Sequence, residues 1–593
     1  MRQWLIGTIA VAVGLAGCHG NEGGSDMSAA LDMSAPEACS GWPQWGQSPD
    51  HAGSVCVAGQ APAHILATVE VDPFGVDETA DDGDLLVHYQ VPLVVDDDVY
   101  VLQKGGSFTA PCPNPDAGAE AGCYSWDSQT WSESHFSWSG GKLKRQWSFA
   151  SDWKPVPSEV ASAEQLFQPA IAGGFIYVPG LGGSVHKVDR KSGKEAALLS
   201  PFGATLDPDT YVSGPLVADA AGNVFYNVIK FDHAQPLFND VTAWLVKIAA
   251  DDTVKSVTYD SIVTNAPTGK NCHGTFFSAV PVPDLPWPPP NDANNKPVLP
   301  PLVNCGKQRP GINVAPAVGK DGSVFTVSRA HFDSQDSFVL AVNADLTPKW
   351  TTSLRGILND ACGVNVPSDG DTMNNRYDCR PGTTMGVDRQ TNQKPAARVI
   401  DESSSSPVAL PDGTVLYGAY TSYNDDRGHL IKLDPSGTPI GTYDFGWDYT
   451  PAVWQHDGTY SLVVKDNHYI YDSMGVPQGP YYLTQLDKDL NVEWHFQNLN
   501  TQSCHFGDGG APECVIDHPH GFEWCINAPA IDSSGTIYAG GEDGVVYAIG
   551  QGGLLKGSLF IGMSLGASYT PLAIDRLGRL YTQNDGKMQV LGK

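Results

Sequence analysis

The chain has 593 residues, a formal net charge of -31, 17% charged and 10% aromatic residues, 64 Gly and 44 Pro. That is the profile of a turn-rich all-β protein with a large core, and it excludes a disordered or mainly helical chain. The acidic surplus also excludes recognition of a nucleic-acid backbone, so no nucleic-acid partner is expected.

In chain order, Met1-Arg2-Gln3 and the apolar run 4–15 make a basic start followed by a segment too short to span a bilayer, which reads as a secretory signal over 1–17. It ends Leu15-Ala16-Gly17-Cys18, which resembles a bacterial lipobox. The resemblance implies cleavage before Cys18, lipid attachment to its sulfur and acylation of the new N-terminus. Such a chain is exported and lipid-anchored in the cell envelope, with the outer membrane as the expected address. An ordinary secretory signal with a chance Cys is the alternative. Residues 18–38 are Gly, Ser, Ala, Asp and Met without periodicity and read as a flexible tether.

Setting Cys18 aside leaves eleven cysteines in an exported chain, so disulfides are expected with one thiol left over. Nearness in sequence suggests Cys39–Cys56, Cys112–Cys123, Cys272–Cys305 and Cys362–Cys379, while Cys504, Cys514 and Cys525 compete for one further bridge.

The lead-in Gly41-Trp42-Pro43-Gln44-Trp45-Gly46-Gln47-Ser48-Pro49-Asp50-His51-Ala52-Gly53 resembles that of PQQ-like β-propeller proteins. That superfamily holds quinoprotein dehydrogenases and the lipoprotein subunit of the outer-membrane β-barrel assembly machine. Repeats covering the chain from about Ile65 onward carry the same resemblance. Each opens with a proline entering an apolar strand: Pro92, Pro169, Pro215, Pro316, Pro407, Pro451, Pro529 and Pro571. A tight Asp/Gly turn and a second strand follow, as in Lys320-Asp321-Gly322 and Asp532-Ser533-Ser534-Gly535, then third and fourth strands, with Trp147, Trp350 and Trp494 at matching places to pack neighbouring sheets. Eight openings predict a single eight-bladed β-propeller over 39–593. The last repeat is one strand short, and the segment Ile65 to Val71 is expected to supply it, closing the ring.

With antiparallel strands, the first and third turns of every blade fall on one face and are short. The long insertions, about 104–138, 264–312, 355–402, 468–479 and 499–526, fall on the other and contain nine of the eleven cysteines. Cross-linked loops of this length point to recognition or, alternatively, to protection from proteolysis. Trp126, Trp131, Phe136, Phe276, Phe277, Trp287 and Trp524 are the aromatic candidates for a binding face. Packing within their own loops is the alternative.

Catalytic and metal signals are weak. Cys504, His505, Cys514, His518, His520 and Cys525 match no zinc spacing, and the Asp-rich turns match no calcium loop. The family resemblance implies, for its enzymes, pyrroloquinoline quinone and calcium over the central axis with an Asp base. This chain lacks an adjacent Cys-Cys pair, and only 345–350 and 489–494 approach the tryptophan-docking repeat. No C-x-x-C-H haem motif occurs either. No catalytic, cofactor or metal residues are assigned. The expected function is a non-catalytic scaffold binding an envelope protein or glycan; a quinone- and calcium-dependent dehydrogenase of alcohols or sugars is the alternative.

Overall fold

Proline lacks an N–H to donate, so it sits just outside a sheet ladder. Innermost strands begin at Leu93, Ala170, Val217, Ala317, Val408, Ala452, Ala530 and Ala573, one or two residues after the eight predicted prolines. This computed structural model describes residues 41–75, 89–108, 128–157, 164–231, 241–273, 293–294, 302–358, 386, 394–401, 405–421, 428–445, 449–468, 479–507, 510–524, 528–563 and 571–593. All belong to one unit, 36–593.

Eight antiparallel sheets form an eight-bladed β-propeller. The first blade runs β2 (Leu93–Val95), β3 (Asp98–Gly106), β4 (Gln129–Ser139) and β5 (Lys142–Ser151), from inside to outside. Val99, Tyr100, Val101 and Leu102 are buried in succession on β3, because neighbouring blades cover both faces of each sheet. The ring closes as expected. The strand β1 (His64–Glu70) pairs antiparallel with the final strand Lys587–Gly592, from His64 opposite Gly592 to Glu70 opposite Lys587.

The lead-in acts as an axial plug, touching the blades in order. Trp42 and Val94 exchange backbone hydrogen bonds at 2.7 and 2.9 Å. The N–H groups of Ile171, Val318, Ala409, Val453 and Ile531 donate to the carbonyls of Pro43, Pro49, Asp50, Ala52 and Gly53. Ala218 N–H reaches the Gln44 side chain, and Gln60 N–H donates to the Gly578 carbonyl, completing the circuit at the eighth blade. Trp42, Trp45, Gln44, Gln47 and His51 are buried by this arrangement. Burial pushes the His51 imidazole down to about 4, against the raising effect of its hydrogen bond to the Pro407 carbonyl. Gly46 has φ +64°, and a Cβ there would meet His51 Cα at 2.8 Å, so this turn requires glycine.

The tryptophans dock blade to blade. Trp147 Nε1 donates to the Arg190 carbonyl, and Trp350 Nε1 to the Pro435 carbonyl, each on the third turn of the next blade. Gly193, Gly437 and Gly553 lie against Trp147, Trp350 and Trp494.

Three insertion boundaries shift. Residues 104–106 extend β3 and 129–138 belong to β4, so the first expected loop is shorter than 104–138. Two other insertions contribute short strands: Gln308–Arg309 pairs with Val324–Ala330, and Ala397–Arg398 with Val415–Thr421. The insertion 499–526 carries a hairpin, Gln502–Phe506 with Pro512–Ile516.

Candidate binding face

The turn face is built from side chains that satisfy their own backbone. Asp532 Oδ1 accepts from the N–H groups of Ser534 and Thr536, Asp575 Oδ1 from Leu577 and Arg579, and Asp412 Oδ1 from Thr414. These carboxylates close turns, which accounts for the Asp-Gly signal without an ion. A cavity of about 270 Å³ between the fourth and fifth blades also opens on this face, lined by Lys320, Asp321, Phe325, Lys349, Pro411 and Asp412. Its Lys349 is engaged by Asp321 at 2.9 Å and Ser323 at 2.6 Å.

The opposite face carries the described parts of the insertions. Cys272 and Cys305 form the expected disulfide, and Cys56 is also disulfide-bonded. Of the three competing cysteines, Cys504 pairs with Cys514, which occupies both sulfurs while the bridge is closed. Cys18, Cys39, Cys112, Cys123, Cys362, Cys379 and Cys525 lie outside the described residues.

Three aromatic candidates are core residues instead of surface anchors. Trp131 is fully buried on β4, its Nε1 donating to Glu164 Oε1 at 2.9 Å and its ring set edge-on against Trp153 at 5.2 Å. Phe136 is buried on the same strand. Trp524 is buried too, donating to the Tyr481 carbonyl and meeting Tyr547 at 5.3 Å. Strand continuation and large apolar area drew these rings inward. Trp126, Phe276, Phe277 and Trp287 lie outside the described residues.

The exposed apolar surface belongs to residues the aromatic count passed over. The stapled hairpin presents Phe506 (49% exposed), Val515 (61%) and Ile516 (73%), with Leu499 (72%) nearby. Every residue of Pro512–Ile516 is exposed, so this strand offers side chains and, among the described residues, an unpaired backbone edge to solvent. Phe506 leans on Phe560 of the seventh blade at 5.0 Å, which holds the hairpin against the disc, and Ser503 donates to Asp517 at 2.8 Å across the hairpin's own base. The available signal was Val515-Ile516, an apolar pair inside a polar insertion.

Sequence reasoning also missed a buried charge group that ties three segments together. Lys104 Nζ lies 3.1 Å from Asp72 Oδ2 and 2.8 Å from Glu164 Oε2, and Tyr89 donates to Asp72 at 3.2 Å. Burial raises the Glu164 carboxyl above its usual range, outweighing the pull of Lys104. The lone Lys in the apolar run of β3 was its only trace in sequence.

On the insertion side, the segments leading into the innermost strands present amides and hydroxyls to one another. Gln168 Oε1 accepts from Val91 N–H, Asn313 Oδ1 from Leu166 N–H, Ser406 Oγ from Ala315 N–H and Thr450 Oγ1 from Ser406 N–H. Among the described residues, this donor set is neutral and mutually paired.

No protein-family model and no curated protein matches the chain. Solved structures do. The quinohemoprotein alcohol dehydrogenase from Comamonas testosteroni aligns with TM-score 0.50 at 10% identity, over 94% of this chain and 82% of that one. A europium-containing methanol dehydrogenase aligns with TM-score 0.47 at 10% identity, over 92% and 89% of the two chains. BamB from Moraxella catarrhalis aligns with TM-score 0.37 at 12% identity, over 89% and 99%. By its fold, therefore, the chain is an eight-bladed β-propeller, similar to that quinohemoprotein alcohol dehydrogenase in structure.

Proposed function

We propose that this propeller is a lipid-anchored binding scaffold of the cell envelope, holding a protein partner on the face that carries the insertions. The observation behind this reading is the Cys504–Cys514 hairpin, a rigid projection with Phe506, Val515 and Ile516 in solvent. A covalent staple across ten residues lowers the entropy lost on docking, and exposed apolar side chains gain by being covered. A free strand edge favours a polypeptide over a glycan, because it offers backbone donors and acceptors in register. Cys18 would tether the disc through its lipid, leaving the face free to engage.

The test is a photo-crosslinking residue at position 516 in the intact, anchored protein. The expected result is one discrete protein adduct that disappears when Cys504→Ser and Cys514→Ser are combined. Absence of any adduct would overturn the reading. So would stoichiometric uptake of pyrroloquinoline quinone and calcium with dye reduction by an alcohol or sugar, which would favour a dehydrogenase.

A further inference from the structure

A second cluster on the insertion side stands apart from the hairpin. Cys272 and Cys305 belong to the crossing from the third to the fourth blade, and Asp333 and Asp336 to the loop between the second and third strands of the fourth blade. All four are buried. Cys272 Sγ, an Asp333 oxygen and an Asp336 oxygen lie within 4.8 Å of one another. The two segments are pinned together: Phe332 N–H donates to the Cys305 carbonyl at 3.0 Å, and His273 N–H to Asp336 Oδ2 at 3.0 Å. Asp333 Oδ1 accepts from Gln335 N–H at 2.9 Å, while Asp333 Oδ2 is buried with no hydrogen-bond partner. An unpaired buried carboxylate oxygen is costly unless the group takes a proton or a further partner.

We propose that reduction of the Cys272–Cys305 disulfide uncovers a buried divalent-metal site, with the two thiolates, Asp333 and Asp336 as ligands and zinc as the matching ion. Two sulfurs and two oxygens suit a closed tetrahedral zinc site, with bonds of about 2.0–2.3 Å. His273 orients the Asp336 carboxylate through its backbone N–H, while its Nδ1 lies 3.5 Å from Asp336 Oδ1.

The surrounding charge makes binding depend on reduction. Arg309 pairs with Asp401 through two hydrogen bonds of 2.6 Å, and Arg329 adds a third contact at 3.0 Å. Arg355 lies 3.6 Å from Asp336 Oδ1, and Arg398 reaches Ser334 at 3.4 Å. Three guanidinium groups thus meet the carboxylates of Asp336 and Asp401, with Arg398 beside them at Ser334. A dication added to that balance is repelled; two thiolates reverse it and admit the ion.

The chemistry balances with a dithiol as reductant. Its thiolate attacks one sulfur of the Cys272–Cys305 bond, and its second thiol resolves the mixed disulfide. Two electrons and two protons arrive at Cys272 and Cys305 as thiols, and the reductant leaves as its own disulfide. Metal binding then displaces both thiol protons.

The experiment loads the purified chain with Co²⁺ as a spectroscopic stand-in for zinc, before and after anaerobic reduction and removal of the reductant. The reduced chain is expected to take up one equivalent more than a reduced Cys272→Ser/Cys305→Ser variant. That equivalent should show thiolate-to-cobalt charge transfer and tetrahedral visible bands. An Asp333→Asn/Asp336→Asn variant keeps the disulfide for folding, and on reduction it should lack the extra equivalent. Equal uptake by the reduced chain and either variant would overturn the site, and equal uptake by the oxidised chain would overturn its dependence on reduction.

Discussion

Glu133 carries no stabilising charge partner among the groups that shift it, and its second carboxylate oxygen has no hydrogen-bond partner. Burial pushes its carboxyl up to about 8, against the lowering effect of the hydrogen bond from Gln90. In the unfolded chain it titrates near about 4.3. Between these values the folded protein holds a proton that the unfolded chain has released, so stability falls as pH rises. The loss begins near the unfolded value, is complete once the pH passes the folded value, and is flat above it. Glu133→Gln keeps the shape and removes the titration. Relative to the parent, its unfolding free energy from urea titration is expected to gain steadily from about pH 5 to about pH 8, approaching ~1.4 kcal/mol per pH unit. Identical pH profiles for the two chains would count against a neutral buried Glu133. The same strand shows where single residues were illegible in sequence. Glu133, Ser134 and His135 are buried between Trp131 and Phe136, so β4 reads as a polar insertion although it lies in the core. The partners that make burial tolerable, Gln90 for Glu133 and Ser148 for Ser134, come from elsewhere in the chain.

The hairpin Gln502–Phe506 with Pro512–Ile516 is an isolated two-stranded sheet, a unit that is marginal in water without support. Its disulfide links the directly opposed residues Cys504 and Cys514. Replacing both by Ser should speed amide exchange within 502–516 by orders of magnitude, since a staple over so short a loop contributes about 2–3 kcal/mol locally. The midpoint of global unfolding should move little, because the hairpin adds nothing to the blade cores. A large drop in the global midpoint would show that the hairpin is integral to the disc. At this scale the strands of each blade were readable from apolar runs between Asp/Gly turns. The choice of Cys514 over Cys525 for Cys504 was not, because strand pairing decides it and strand pairing is a long-range event.

The whole ring depends on its N-terminal stretch twice: residues 42–60 thread the axis past all eight blades, and β1 completes the last one. A chain beginning at residue 72 loses both and leaves the edge of Lys587–Gly592 unpaired, a template for association. Size-exclusion chromatography with light scattering should find it as oligomers or aggregates; a monomer as heat-stable as the full chain would refute the closure argument. The sequence by itself determined the number of blades, their order and the closing strand. Those follow from local rules: proline outside a ladder, Asp/Gly turns, and strands too short to bury themselves alone. It also put the strand ends from which the long insertions leave on one face, since alternation of antiparallel strands leaves no choice. Only the tertiary structure decided which insertion aromatics are core, how the lead-in plugs the axis, and which buried charges meet. Lys104 with Asp72 and Glu164, or Cys272 with Asp333 and Asp336, are joined by chain crossings between blades. Their cost and their pairing exist only once neighbouring blades have excluded water from them.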